Sequence, residues 1–169
     1  MRIYIVGAAG GGKTTMARNI SKALGIKCYH LDDIYYSNDT ADEGGIRLSG
    51  ETKILFDEII NCAEWIAEDN GSRDCFYEIM EKADKIILLY PPKYIRNVRI
   101  IKRYIKQKLG LEKAEYRPKI EIIKRMINGS NNFEDENSKV RVQLLKHKEK
   151  TVVLKTKRDI NEYIKKDLQ

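Results

Sequence analysis

The amino-acid sequence predicts one α/β domain built on a parallel sheet. Short β-branched runs alternate along the chain with longer segments of helical periodicity, the pattern of right-handed strand–helix–strand crossovers. The chain also opens on a strand, a glycine-rich turn and a helix in direct succession. Its 169 residues suffice for a single domain with a real core.

The first strand is Arg2 to Val6, apolar at nearly every position. Thr15 to Leu24 then carries apolar residues at helical spacing, and Gly25 ends it. Lys27 to His30 reads as the second strand and leads into Leu31-Asp32-Asp33, followed by a polar loop through Asp42-Glu43-Gly44-Gly45. Thr52 to Cys62 is predicted helical, with Ile54, Leu55, Ile59 and Ile60 as its apolar set. Trp65-Ile66-Ala67 forms the third strand and ends at Glu68-Asp69, with Trp65 in the core and a turn at Asn70-Gly71-Ser72. Arg73 to Lys82 reads as a short helix, and Lys85 to Tyr90 as a buried strand stopped by Pro91-Pro92.

A long helix is expected from Lys93 to Leu109, closed by Gly110. Pro118 opens another, to about Asn128, and the polar patch Asn128-Gly129-Ser130-Asn131-Asn132 reads as a turn. Phe133 to His147 is a further helical stretch, Thr151 to Leu154 the last strand, and Lys157 to Leu168 a closing helix capped by Thr156.

Composition narrows the classes. Cys28, Cys62 and Cys75 are odd in number and show no C-x-x-C spacing, which argues against a disulfide framework or a zinc site. A reducing, cytoplasmic setting is the expectation. No signal peptide fits a chain that begins on a core strand, and no apolar run reaches membrane-spanning length. The net charge of +7 suits phosphorylated small molecules as well as nucleic acid. His30 and His147 stand far apart without cysteines at metal spacing, and read as structural or exposed.

The chemistry concentrates at Gly7-Ala8-Ala9-Gly10-Gly11-Gly12-Lys13-Thr14, which fits G-x-x-x-x-G-K-S/T at every fixed position. Glycines let successive amides turn inward around an anion, and the following helix adds its positive end. Lys13 would reach the β- and γ-phosphates, the Thr14 hydroxyl would ligate Mg²⁺, and Thr15 extends the nucleotide-binding stretch. The ends of the first three strands bring this loop, Asp32-Asp33 and Glu68-Asp69 to one rim of the sheet, where ligands bind in such folds. Mg²⁺ takes one or two carboxylates beside phosphate oxygens, so either acidic pair could serve the metal or orient an acceptor hydroxyl. Glu68 is the candidate for the metal and Asp32 for the acceptor. The alternative for all four acids is helix capping or solvation.

On the long helix, Arg96, Arg99, Arg103 and Lys106 share a face, with Ile95, Val98, Ile101, Tyr104 and Ile105 opposite. Arg99 and Arg103 are candidates for neutralising a transferring phosphoryl group, against the alternative of a solvated basic face. Arg117 is a weaker candidate over the nucleotide.

These residues resemble the adenylate-kinase-like P-loop kinases, and more narrowly the bacterial DNA topology modulation protein (FlaR-like) group. The narrower resemblance rests on Ile3 to Arg18 with Leu24-Gly25-Ile26, on His30-Leu31-Asp32, on Trp65 to Asn70 followed by Ala83 to Ile87, and on Arg99 to Arg103 with Leu144 to Thr156. It implies a three-layer P-loop NTPase fold, a five-stranded parallel sheet in the order 2-3-1-4-5, ATP or GTP binding, and a helical lid within about 109–132 of a single domain spanning 1–169. It also implies adenine near the lid helix and Lys155-Thr156-Lys157. The sequence departs from the group's pattern at Glu68, where Asp is usual, at Asp69, where Gly is usual, and at Tyr116-Arg117-Pro118-Lys119 in the lid. The expected function is a small-molecule kinase acting on a nucleoside, nucleotide or similar hydroxyl compound. Rival readings are a nucleotide-binding regulator or nucleic-acid-associated ATPase, and a catalytically degenerate kinase fold.

Overall fold

A computed structural model describes residues 1–37, 45–46, 49–112, 119–133, 135 and 138–167. Strand β1 (Arg2–Gly7) runs through the middle of the sheet and leads through the glycine turn into α1 (Lys13–Leu24). There follow β2 (Cys28–His30), α2 (Leu31–Tyr35), β3 (Tyr36–Ser37), β4 (Gly45–Ile46) and α3 (Ser49–Ile60). Next come β5 (Trp65–Asp69), a 3₁₀ turn at Asp74–Phe76, α4 (Glu78–Lys82) and β6 (Lys85–Leu89). The last part comprises α5 (Lys93–Lys108), α6 (Ile120–Asn132), α7 (Lys139–Lys146), a 3₁₀ turn at Lys148–Lys150, β7 (Thr151–Leu154) and α8 (Lys157–Asp167).

The main sheet is parallel throughout, in the order β2-β5-β1-β6-β7. Counted along its own strands this is 2-3-1-4-5, the expected P-loop arrangement. Both faces are covered, which is why its strands read as continuous apolar runs rather than as alternating ones. Tyr4, Val6, Trp65, Ala67 and Ile86 pack toward Phe56, Ile59, Ile60, Ile79, Met80, Val140 and Leu144. Ile3, Ile5, Ile66, Ile87 and Leu89 pack the other way, against Met16, Ala17, Ile20 and Tyr163. Among the described residues, no helix is long and apolar enough to cross a membrane.

Several elements differ from expectation. The segment after β2 is the short helix α2, and Gly45 belongs to a two-stranded antiparallel ribbon of β3 with β4 rather than to a loop. Asp42, Glu43 and Gly44 lie outside the described residues. Helix α3 buries Thr52 and Phe56 along with Ile59 and Ile60, while Ile54 is exposed, because contact with the sheet selects the inward stripe. The stretch from Arg73 divides into the 3₁₀ turn and α4. The expected helix from Phe133 begins only at Lys139. Thr156 does cap α8: the Asp159 amide donates to its Oγ1 at 3.1 Å, and Asp159 Oδ2 accepts from the Lys155 and Thr156 amides.

Two differences bear on the site. The polar patch Asn128 to Asn132 continues α6 instead of turning, because Ser130 is buried and engaged by side chains from elsewhere. Helix α5 faces the opposite way from its apolar pattern. Arg96, at 0% exposure, and Ile100 are buried, whereas Val98, Ile101 and Ile105 stand 44–49% exposed. The inward arginine is tolerated because its guanidinium donates to Pro91 O at 2.9 Å and to Ser130 O and Oγ at 3.0 Å.

Candidate functional site

The glycine turn is built for close backbone approach. Gly11 N–H donates to Ala8 O at 3.0 Å, and Gly10 and Gly12 hold φ of 74° and 99°, the left-handed region that glycine enters freely. A Cβ on Gly10 would lie 2.5 Å from Arg96 O, so loop and α5 touch backbone to backbone. The first helical bond of α1 runs from Met16 N–H to Gly12 O, and no side chain caps the helix. The amides of Lys13, Thr14 and Thr15 therefore stand in the first turn, where a helix supplies them no internal partner. With the positive helix end and Lys13, whose Nζ reaches Ala8 O at 3.2 Å, they form a donor set that fits phosphate oxygens.

Beside the loop, Thr14 Oγ1 donates to Glu68 Oε1 at 2.7 Å. His30 Nδ1 meets the same oxygen at 2.9 Å, because strand register sets His30 opposite Glu68. Burial of Glu68 raises its pKa, but the His30 bond, the Lys13 charge and the Thr14 bond outweigh burial and hold it below the usual value. The Glu68 bond lifts the His30 pKa, against burial, with Glu68 and Asp33 charges adding to the rise. His30 is thus half-buried and tied to a site candidate. Thr14 spends its proton on Glu68 and keeps oxygen lone pairs for a cation. Among the described residues no group of three or more His, Cys, Asp or Glu gathers at metal-binding spacing. A hydroxyl and one carboxylate suit Mg²⁺, which keeps waters and phosphate oxygens as its remaining ligands.

Across the rim lies a cluster that sequence reasoning missed. Arg73 Nη2 contacts Asp32 Oδ1 at 2.6 Å, and its Nη1 contacts Asp69 Oδ1 at 2.9 Å. The guanidinium also lies over Tyr35 at 4.4 Å, Tyr36 at 5.3 Å and Phe76 at 5.9 Å. Burial opposes its charge, but Asp69 and Asp32 hold it firmly protonated. Asp69 is fully buried, and its Oδ2 has no hydrogen-bond partner. Burial pushes the Asp69 carboxyl up, against the Arg73 charge, and Asp32 adds to the rise. The signal for Arg73 was the turn after β5, which folds an arginine four residues on back to the rim.

Of the basic residues on α5, Arg99 reaches the loop, with Nη1 3.1 Å from both Gly10 O and Gly11 O. Arg103 instead pairs with Glu112 at 3.2 Å and is about half exposed. Arg96 serves as a strut: Ser130, which it holds, donates from Oγ to Ala9 O at 3.2 Å. Arg117 and Pro118 lie outside the described residues. His147 contributes its carbonyl to Thr151 Oγ1 at 2.7 Å.

No protein-family model and no curated protein matches the chain. Solved structures do, as folds. A gluconokinase from Sinorhizobium meliloti 1021 superposes with a TM-score of 0.53 at 13% identity, over 99% of this chain and 89% of its own. A shikimate kinase from Acinetobacter baumannii, in complex with shikimate, gives 0.55 at 18%, over 97% and 89%. A sugar kinase from Janibacter sp. HTCC2649 gives 0.56 at 15%, over 97% and 92%. The chain has the fold of P-loop small-molecule kinases.

Proposed function

We propose that this protein transfers the γ-phosphoryl group of ATP, as its Mg²⁺ complex, to a hydroxyl of a small molecule. The observation that carries the reading is the joining of two half-sites. The open amides of α1 connect through the Thr14–Glu68 bond to an acidic rim that includes Asp32. The kinase fold of the structural neighbours supports it. GTP is the alternative donor, and the FlaR-like resemblance of the sequence narrows the class further without naming an acceptor.

Each residue has a physical task. The Gly7–Thr15 stretch binds phosphates through its backbone, and Lys13 adds a mobile charge at the β- and γ-oxygens. Thr14 and Glu68 would hold Mg²⁺, which would neutralise charge on the phosphates, and the His30 bond favours the charged form of Glu68. Asp32 orients the acceptor hydroxyl or accepts its proton. Arg99, already on the loop, is the arginine for charge on the transferring group, with Arg103 behind it. The segment within about 109–132 acts as the lid of a single domain.

An acceptor screen with γ-labelled ATP and Mg²⁺ tests this, with Lys13→Ala as control. Loss of turnover by roughly a hundredfold or more in the control is expected. Lys13→Ala with ATP affinity and turnover intact would sink the proposal. The exposed Lys102, Arg103 and Lys106 keep one rival open, a nucleic-acid-associated ATPase. A gel shift through a salt series decides it, since phosphate-backbone binding weakens steeply with salt.

A further inference from the structure

We infer that the acceptor bound beside Asp32 is a hydroxyl compound without a carboxylate or phosphate of its own, selected by the Asp32–Arg73–Asp69 cluster. This rests on the kinase reading above and names the substrate class of that same site.

The argument starts from which charges remain available. An acidic acceptor needs a guanidinium or ammonium with donors to spare. Among the described residues, Arg73 is the arginine bonded to Asp32 and Asp69, and both arms of its fork are engaged. One arm of its fork is held by Asp32 at 2.6 Å, the other by Asp69 at 2.9 Å, and its faces are covered by Tyr35, Tyr36 and Phe76. Its side chain is 11% exposed.

What the cluster presents outward is the Asp32 carboxylate. Asp32 stands 58% exposed in the first turn of α2, just after β2, with one oxygen committed to Arg73. Asp69 is wholly buried on the neighbouring strand, and its Oδ2 is unsatisfied. A buried carboxylate oxygen without a donor is costly, and its charge stands poorly compensated behind Asp32. Two carboxylates against one guanidinium leave the cluster net negative, while Glu68 on the same rim is matched by His30 and Lys13. An anionic group brought here would meet repulsion, strengthened by the low dielectric. Uncharged and cationic hydroxyl compounds meet complementary acceptors instead.

The step itself is ordinary phosphoryl transfer. The acceptor oxygen bonds to the γ-phosphorus, and the bond from that phosphorus to the bridging oxygen breaks. ADP leaves with the electron pair, and the hydroxyl proton passes to the Asp32 carboxylate.

Matched pairs isolate the charge: adenosine against AMP, and glucose or glucosamine against gluconate, with shikimate as a further anion. Each is offered with Mg²⁺ and γ-labelled ATP to follow transfer. Each is also offered with Mg²⁺ and a non-hydrolysable ATP analogue, to follow the melting temperature. The expected result is transfer and stabilisation with an uncharged or cationic member, at least about tenfold above its anionic partner. Asp32→Asn releases half of Arg73 and should shrink that preference in the melting assay, whatever it does to turnover. An anionic member that matches or exceeds its uncharged partner overturns the inference while leaving a kinase. A charge preference in melting with no transfer to any member sinks the kinase reading and keeps the preference. Engagement of no uncharged or cationic member in either assay overturns the inference as well.

Discussion

Replacing Ser130 with alanine deletes one buried oxygen from the strut between α5, α6 and the phosphate loop. That hydroxyl accepts from Arg96 Nε at 3.0 Å and donates to Ala9 O at 3.2 Å, and Ser130 is 1% exposed. A bond to a charged group contributes about 1.5–3 kcal/mol, and the longer neutral one about 0.5–1 kcal/mol. Alanine's better helix propensity returns about 0.5 kcal/mol. The net loss is about 2 kcal/mol, or a melting temperature lower by roughly 4–8 °C for a domain of this size. Circular dichroism on heating, with urea titration for the free energy, measures it. Ser138→Ala is the control, since Ser138 Oγ is buried without a partner and makes no cap bond, so its loss should change stability by less than about 0.5 kcal/mol. ATP affinity should also fall in Ser130→Ala, because Ala9 loses the donor that holds its carbonyl. A melting temperature within 1 °C of the wild type would refute the strut.

The facing of α5 is tested by a pair of neighbours. Ile100→Ala should cost about 2–4 kcal/mol in urea titration and Ile101→Lys less than about 0.5 kcal/mol, and the reverse order would restore the face the sequence suggested. Gly10→Ala adds a Cβ 2.5 Å from Arg96 O at a φ of 74°, so it should lose at least about 1–2 kcal/mol and most of its ATP binding by calorimetry. Undiminished ATP binding there would show that the loop does not need that close approach. The Asp84 pKa is lowered chiefly by its bond to Arg2, with burial opposing. Its contribution is therefore present above the unfolded value of 3.8 and lost as pH falls through the folded one. Asp84→Asn should cost about 0.5 kcal/mol at neutral pH, given a half-exposed pair, and flatten the melting curve below about pH 4; parallel curves would contradict this.

How much of this was legible in the sequence follows from the range of the forces involved. The strands and the loop were readable because their causes are local. Val6 to Thr14 carries its own backbone requirements, and a strand buried on both faces must be apolar throughout. The orientation of α5 was hidden because apolar periodicity assumes that apolar residues go inward. Here one guanidinium satisfied by Pro91 and Ser130 sets the orientation, and Ser130 lies 34 positions away. The same bond explains why Asn128 to Asn132 is helical. Propensity favoured a turn there, and tertiary hydrogen bonding held the helix.

The site divides along the same line. The phosphate half depends on residues within one short segment, so a pattern of eight positions reveals it. The proposed acceptor half rests on Asp32, Asp69 and Arg73, brought together only when β2 and β5 lie side by side. Asp32 was visible because it follows a strand. Arg73 was not, because an arginine after a turn has no pattern to distinguish it from a surface charge. Yet in the proposed site Arg73 decides the sign. Left free, it would make the rim attractive to acids; clamped between two carboxylates, it makes the rim acidic. The acceptor class proposed for this chain therefore turns on one arginine being already paired, a property that neither the loop motif nor the fold encodes.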